Sequence, residues 1–234
     1  MPLTVLITGF GPFPGAPFNP TGPLAQRLGA RRRPVLAEVE LITHVFATSY
    51  AAVDAELPDL IVLHRPDVLL MFGLAARTPH LRIETRARNA VSALHPDAGG
   101  RVRHAAGIRP GQPAALAGRA PFRQLVRAAR RARVPARLSR DAGAYLCNYV
   151  YWRGIEAQSP NRPVPGPRVP DRRVPDRRVP VVAFVHVPQV GRTPRPCGGA
   201  RTLNLADLTR AGEAILLALV CAARAASPCC PEFR

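Results

Sequence analysis

The chain has 234 residues, 47% hydrophobic and 21% charged, the balance of one folded domain with a buried core and not of a disordered or fibrous chain. All 33 basic residues are arginine and the net charge is +18, yet the arginines are spread from Arg27 to Arg234 instead of gathered in a patch, which argues against nucleic-acid binding. Five cysteines without CxxC or zinc-ligand spacing argue against a disulfide framework or a metal site, and the longest apolar run, Ala214 to Ala223, falls short of the about 20 residues a bilayer needs.

The first apolar stretch, Leu3 to Thr8, has no basic residue before it and stops at Gly9. It reads as a buried strand and not as a secretory signal, so the expected location is the cytoplasm with reduced thiols. A glycine-rich loop follows, then a second strand over Val35 to Phe46 and helical spacing over Ala51 to Leu63. Asp67 to Gly73 is again continuously apolar, the pattern of a central parallel strand covered on both faces. Helices are expected over Pro121 to Arg133, Ala144 to Glu156 and Leu203 to Ala225, and strands over Ala136 to Ser139 and Val181 to Val187. Strands alternating with helices imply an α/β fold: a single-domain three-layer αβα sandwich around a mostly parallel twisted sheet.

Between Gln158 and Pro180 seven prolines, six arginines and a repeated Arg-Val-Pro-Asp-Arg unit replace the core-forming pattern. Proline at this density favours solvated polyproline II, so residues 158–180 are expected to be a surface insertion in a domain spanning 1–226. Residues 227–234 read as a frayed tail.

Four places carry candidate chemistry. Gly9, Gly11 and Gly15 fit neither nucleotide motif: position 14 is proline and the chain has no lysine. The loop does place Phe10 and Phe13 beyond the carboxyl end of a strand, where open α/β sheets bind ligands, and an aromatic pair there suits a small, flat, uncharged group. Cys147 falls in the first turns of its helix, where backbone N–H groups and the dipole lower a thiol pKa and can hold an oxyanion. His186 ends the strand Val181 to Val187 on the same ligand edge, so the two form a nucleophile–base pair. Glu84, on another strand, is the candidate third group that orients the imidazole.

These residues resemble the pyroglutamyl peptidase I (pyrrolidone carboxyl peptidase) family of cysteine peptidases. Thr8-Gly9-Phe10-Gly11-Pro12-Phe13 with Asn19-Pro20-Thr21 is similar to its amino-terminal segment, and Glu84, Ala87 and Asn89 to its glutamate stretch. Pro96-Asp97 follows, then Asp141-Ala142-Gly143 through Cys147-Asn148-Tyr149, then Phe184-Val185-His186-Val187-Pro188, all in the family's order. The resemblance implies a thiol peptidase acting on peptides with an N-terminal pyroglutamate, without metal or cofactor, in members that are often homo-oligomers. It implies Cys147 as nucleophile, His186 as general base and acid, and Glu84 as orienting carboxylate. Phe10 and Phe13 would sandwich the pyrrolidone ring, backbone around Leu74 would bond the lactam, and Tyr145 and Leu146 would line the pocket. The chain departs from the family where Thr85 and Leu94 replace its usual arginines. That leaves a second reading, an impaired relative that binds such amides without turning them over, and a third, an arginine-rich binding module.

Overall fold

Continuous apolar runs become the central strands, because only a strand covered on both faces buries every side chain of such a run. The computed structural model describes residues 2–13, 16–94, 96–103, 105, 107–158, 181–191 and 202–226. In chain order the elements are β1 (Leu3–Phe10), α1 (Thr21–Gly29), β2 (Val39–Phe46), α2 (Tyr50–His64), β3 (Val68–Leu74), β4 (Leu81–Glu84) and β5 (Arg86–Arg88). Then come β6 (Ala115–Ala117), α3 (Phe122–Arg131), β7 (Ala136–Ser139), α4 (Leu146–Glu156), β8 (Val181–Val187) and α5 (Leu205–Ala225).

Six strands form one sheet in the order β2-β1-β3-β8-β4-β7, and β5 pairs with β6 in a separate ribbon that the sequence reading does not contain. β2, β1, β3 and β8 are parallel, so Phe10, Leu74 and Val187 end on the same edge. β4 runs antiparallel to β8 and carries β7 parallel to itself. The sheet is therefore mostly parallel, as expected, with its one reversal beside the histidine strand.

Period-two alternation sorts the side chains onto two faces. Val5, Ile7, Val68, Leu70, Phe72, Ala183 and Val185 pack with α1, α3 and α5; Leu6, Phe10, Leu69, Met71, Val182 and Phe184 pack with α2 and α4. These are the three layers.

Several boundaries move for local reasons. β2 begins at Val39 and not Val35, because Pro34 opens a 3-10 turn over Pro34–Leu36. β1 runs on through Gly9 to Phe10, since Gly9 lets the strand lie on the start of α1: a Cβ there would sit 2.3 Å from the Thr21 carbonyl oxygen. α3 stops at Arg131, just before the left-handed Arg133 (φ 56°). α4 starts at Leu146 and not Ala144, because Gly143 takes φ +85° and Tyr145 stays extended as the N-cap. α5 starts at Leu205 behind a capping box made by Asn204 and Asp207. The expected insertion, apart from Gln158, and the expected tail lie outside the described residues.

Candidate active site

Cys147 is the second residue of α4, and the first helical bond there runs from the Tyr149 N–H to the Tyr145 carbonyl. The N–H groups of Leu146, Cys147 and Asn148, in the first turn, have no intrahelical partner. Cys147 is half-buried. Opposite it lies Gly73 on β3: a Cβ on Gly73 would come within 2.7 Å of the Cys147 sulfur and 2.6 Å of the Phe184 ring. Glycine at this position is what lets the sulfur approach the sheet. Nothing in the spacing of the sequence marks Gly73 for that role; it follows only from α4 crossing β3.

His186 stands on β8, 5% exposed, with its ring edge-on to Phe184 at 5.0 Å. Antiparallel pairing sets Arg82 directly opposite His186 and Glu84 opposite Phe184. Glu84 therefore meets the histidine diagonally, a reach that long side chains span. His186 Nδ1 lies 2.8 Å from Glu84 Oε1, and that carboxylate is fully buried. The Tyr151 hydroxyl donates to the Glu84 carbonyl at 2.9 Å and holds the backbone from α4. Burial pulls the imidazole's pKa down, but the charge and hydrogen bond of Cys147 and then the Glu84 carboxylate outweigh it and hold His186 up at about 9. Cys147, His186 and Glu84, far apart in the chain, thus form one contiguous set.

The segments around them are held by buried amides. Asn148, fully buried, accepts from the Arg88 N–H at 2.7 Å and donates to the Arg88 and Ala90 carbonyls, tying β5 to α4. Asn19 donates to the Gly11 carbonyl at 3.0 Å, and the Thr21 hydroxyl accepts from the Phe10 N–H at 2.9 Å. The Asn-Pro-Thr stretch is therefore a clamp on the phenylalanine loop. Asp97, 2% exposed, accepts from the N–H groups of Tyr50, Gly99 and Arg101.

The expected pocket residues lie in different settings. Phe10 is 4% exposed with its ring on Phe46, centroids 5.9 Å apart, whereas Phe13 is half-buried in a bridge with Ala16. Leu74 ends β3 opposite Val187. Tyr145 is half-buried, its hydroxyl donating to the Pro96 carbonyl at 3.0 Å, and Leu146 is core at 1% exposure. Leu94 is 84% exposed. Arg86 and Arg88 do not reach in its place: they bind the Arg140 carbonyl and the Asp141 carboxylate. Among the described residues the arginine that touches the set is Arg82, its Nε 3.1 Å from Glu84 Oε1. Its parity with Glu84 on a strand is the only sequence signal that could have singled it out.

Among the described residues no three His, Cys, Asp or Glu side chains are grouped to hold a metal, and no helix is long and apolar enough to cross a membrane. A cavity of about 540 Å³ lined by Arg31, Arg32, Arg33, Leu36 and Val39 includes none of the site residues.

The profile of the family described as pyroglutamyl peptidase matches residues 3–166. A pyrrolidone-carboxylate peptidase of Thermococcus onnurineus is 35% identical over 146 residues, 62% of this chain and 71% of that one. The enzyme of the same name from Gloeobacter violaceus is 29% identical over 92% of this chain and 95% of its own. Among solved structures, the pyrrolidone carboxyl peptidase from Thermus thermophilus superposes with a TM-score of 0.68 at 28% identity, covering 91% of this chain and 98% of that one. The pyrrolidone carboxyl peptidase from Thermococcus litoralis shares the fold over the full length of both chains, TM-score 0.78 at 23% identity. With the family profile matching most of its length and the fold of a solved pyrrolidone carboxyl peptidase shared over most of both chains, this chain belongs to the pyroglutamyl peptidase family.

Proposed function

We propose that the protein is a cysteine peptidase that hydrolyses the amide bond after an N-terminal pyroglutamyl residue, with Cys147 as nucleophile, His186 as acid and base, and Glu84 as the group that orients the imidazole. The observation that carries the reading is the buried 2.8 Å contact of His186 Nδ1 with Glu84, on an imidazole whose other neighbour is the Cys147 sulfur. A histidine so held keeps its proton at neutral pH, beside the sulfur that is to attack.

The thiolate attacks the pyroglutamyl carbonyl carbon, and the oxyanion forms beside the free N–H groups at the start of α4. His186 gives its proton to the leaving amine as the C–N bond breaks, leaving a thioester on Cys147 and a neutral imidazole. That imidazole takes a proton from water, the hydroxide adds to the thioester, and the thiolate leaves with the imidazolium restored. No step consumes a cofactor.

A pyroglutamyl end is flat and carries no charged amine, so its pocket needs apolar walls and a few amide partners. Phe13 supplies a wall at the loop, Phe10 backs it from the core, and the backbone at Leu74 with Tyr145 and Leu146 completes it on this reading. The measurement is release of aminomethylcoumarin from its pyroglutamyl amide by the wild type, the iodoacetamide-treated wild type and Cys147→Ala. Thiol-sensitive turnover, absent in the variant, is the expected result; a folded wild type without turnover, or an active Cys147→Ala, overturns the reading.

The exposed Leu94 favours the impaired-relative reading as the alternative. A wild type that binds pyroglutamyl amides without turnover and gains it on Leu94→Arg would establish it.

A further inference from the structure

We propose that Arg82 is a positioning residue for this hydrolysis, a single guanidinium that fixes the orienting carboxylate and the approach to the nucleophile together. The inference rests on the peptidase reading of Cys147, His186 and Glu84.

Glu84 is fully buried, and its Oε1 faces both His186 Nδ1 at 2.8 Å and Arg82 Nε at 3.1 Å. Its Oε2 has no hydrogen-bond partner among the described residues. Both contacts fall on Oε1, so Arg82 fixes where that oxygen lies while His186 bonds to it. The same guanidinium donates to the Ser139 hydroxyl from Nε at 3.2 Å and from Nη2 at 2.7 Å. Nη2 also donates to the Asp141 carbonyl. Asp141 opens the Asp-Ala-Gly loop that runs to the extended Tyr145 cap and Cys147. Arg82 therefore joins β4, the end of β7 and the loop before α4, and only a planar fork with several donors makes all three contacts at once.

The neighbouring cations are committed elsewhere. Arg86 and Arg88 reach the 140–141 turn, and the Thr85 hydroxyl donates to the Ser139 carbonyl at 2.9 Å. The titratable and charged groups facing the Glu84–His186 pair are Arg82 from β4, Cys147 and Tyr151 from α4 and no others that an ion pair or hydrogen bond joins to it among the described residues. Arg82 is only 26% exposed and stands directly across the ladder from His186, so its charge is little screened where it meets the pair.

The test measures kcat and KM against pH for wild type, Cys147→Ala, Arg82→Met and Arg82→Lys with the coumarin amide. In Arg82→Met, kcat is expected to fall about 10- to 100-fold at a KM within about twofold, because the acid and nucleophile lose alignment while the pocket stays. Loss of a nearby positive charge makes His186 keep its proton longer, so the alkaline limb of kcat/KM moves up by about one pH unit. Arg82→Lys keeps the charge and loses the fork: its limb stays in place while kcat falls. An unmoved limb in Arg82→Met overturns the proposal whatever happens to kcat, since mere loss of structure would not move it. If Arg82→Met does not fold, Arg82→Lys decides, and a kcat equal to wild type overturns the proposal. A wild type without thiol-dependent turnover overturns the underlying reading as well; an active wild type with an indifferent Arg82→Met overturns this inference alone.

Discussion

The two faces of the sheet are built from different chemistry. The face under α1, α3 and α5 is aliphatic, with leucine, valine, isoleucine and alanine around the buried Phe72. The face under α2 and α4 is rich in aromatics, with Phe10, Phe46, Tyr50, Tyr149, Tyr151, Trp152 and Phe184 in its cluster, and Phe184 and Tyr151 reach His186 and Glu84. Aliphatic side chains fill volume and offer no partner to a buried ion. Tyrosines fill volume and bring a hydroxyl with them, as where Tyr149 meets Asp54 at 2.5 Å and Tyr151 meets the Glu84 carbonyl. The first face is scaffold, and the second is where a buried acid–base pair can be kept dry and still oriented.

Substitutions that strike one face and spare the other put this division at risk. The largest effect is expected from Glu84→Gln, which leaves His186 without its carboxylate: kcat should fall by about 10²- to 10⁴-fold in steady-state assays, and near-wild-type turnover would remove Glu84 from the site. Gly73→Ala comes next, because its methyl would press on the Cys147 sulfur and Phe184 ring; about a 100-fold loss of kcat is expected, with the fold kept by circular dichroism. Gly212→Ala on α5 is its scaffold counterpart. There the nearest atom is the flexible Leu28 Cδ1 at 3.0 Å, so gained helix propensity offsets crowding and kcat should not change.

Leu216→Ala, fully buried on the aliphatic face, should lower unfolding free energy by about 2–5 kcal/mol in urea titrations while kcat/KM at low temperature stays within about threefold. A large loss of activity in that still-folded variant would mean the faces are coupled. The pH dependence tests the aromatic face alone. His186 is held at about 9 against an ordinary 6.5, so it binds its proton more tightly folded than unfolded. The stabilisation is complete below pH 6.5 and disappears as pH rises through about 9, and kcat/KM should fall over the same alkaline range. A wild-type melting temperature that falls between pH 7 and 9.5 no faster than that of His186→Gln would contradict this. A modest effect is expected from Tyr151→Phe, which removes one hydrogen bond to the Glu84 carbonyl: about 1 kcal/mol of stability and a few-fold in kcat.

The layered α/β architecture was legible because continuous apolar runs such as Val68 to Phe72 can be satisfied only inside a covered sheet. Cys147 and His186 were legible as a pair because both fall on the ligand edge. Ends of elements were less so: Gly143, Arg133 and Pro34 set them through single backbone conformations that hydrophobic spacing does not record. The short β5–β6 ribbon escaped for a related reason, since its pairing depends on partners far apart in sequence, as Ala87 with Leu116 and Arg88 with Ala115.

By itself, then, the sequence determined the layer order of the fold, the family resemblance and the kinds of side chain available for thiol chemistry, because periodicity, residue type and motif order are local properties. Only the tertiary structure decided what those side chains meet. The antiparallel turn of β4 against β8 sets Glu84 diagonal to His186 and brings Arg82 to its carboxylate, and the crossing of α4 over β3 requires glycine at position 73. Such contacts depend on strand direction and helix placement, which are fixed by packing the whole chain and by no single stretch of it.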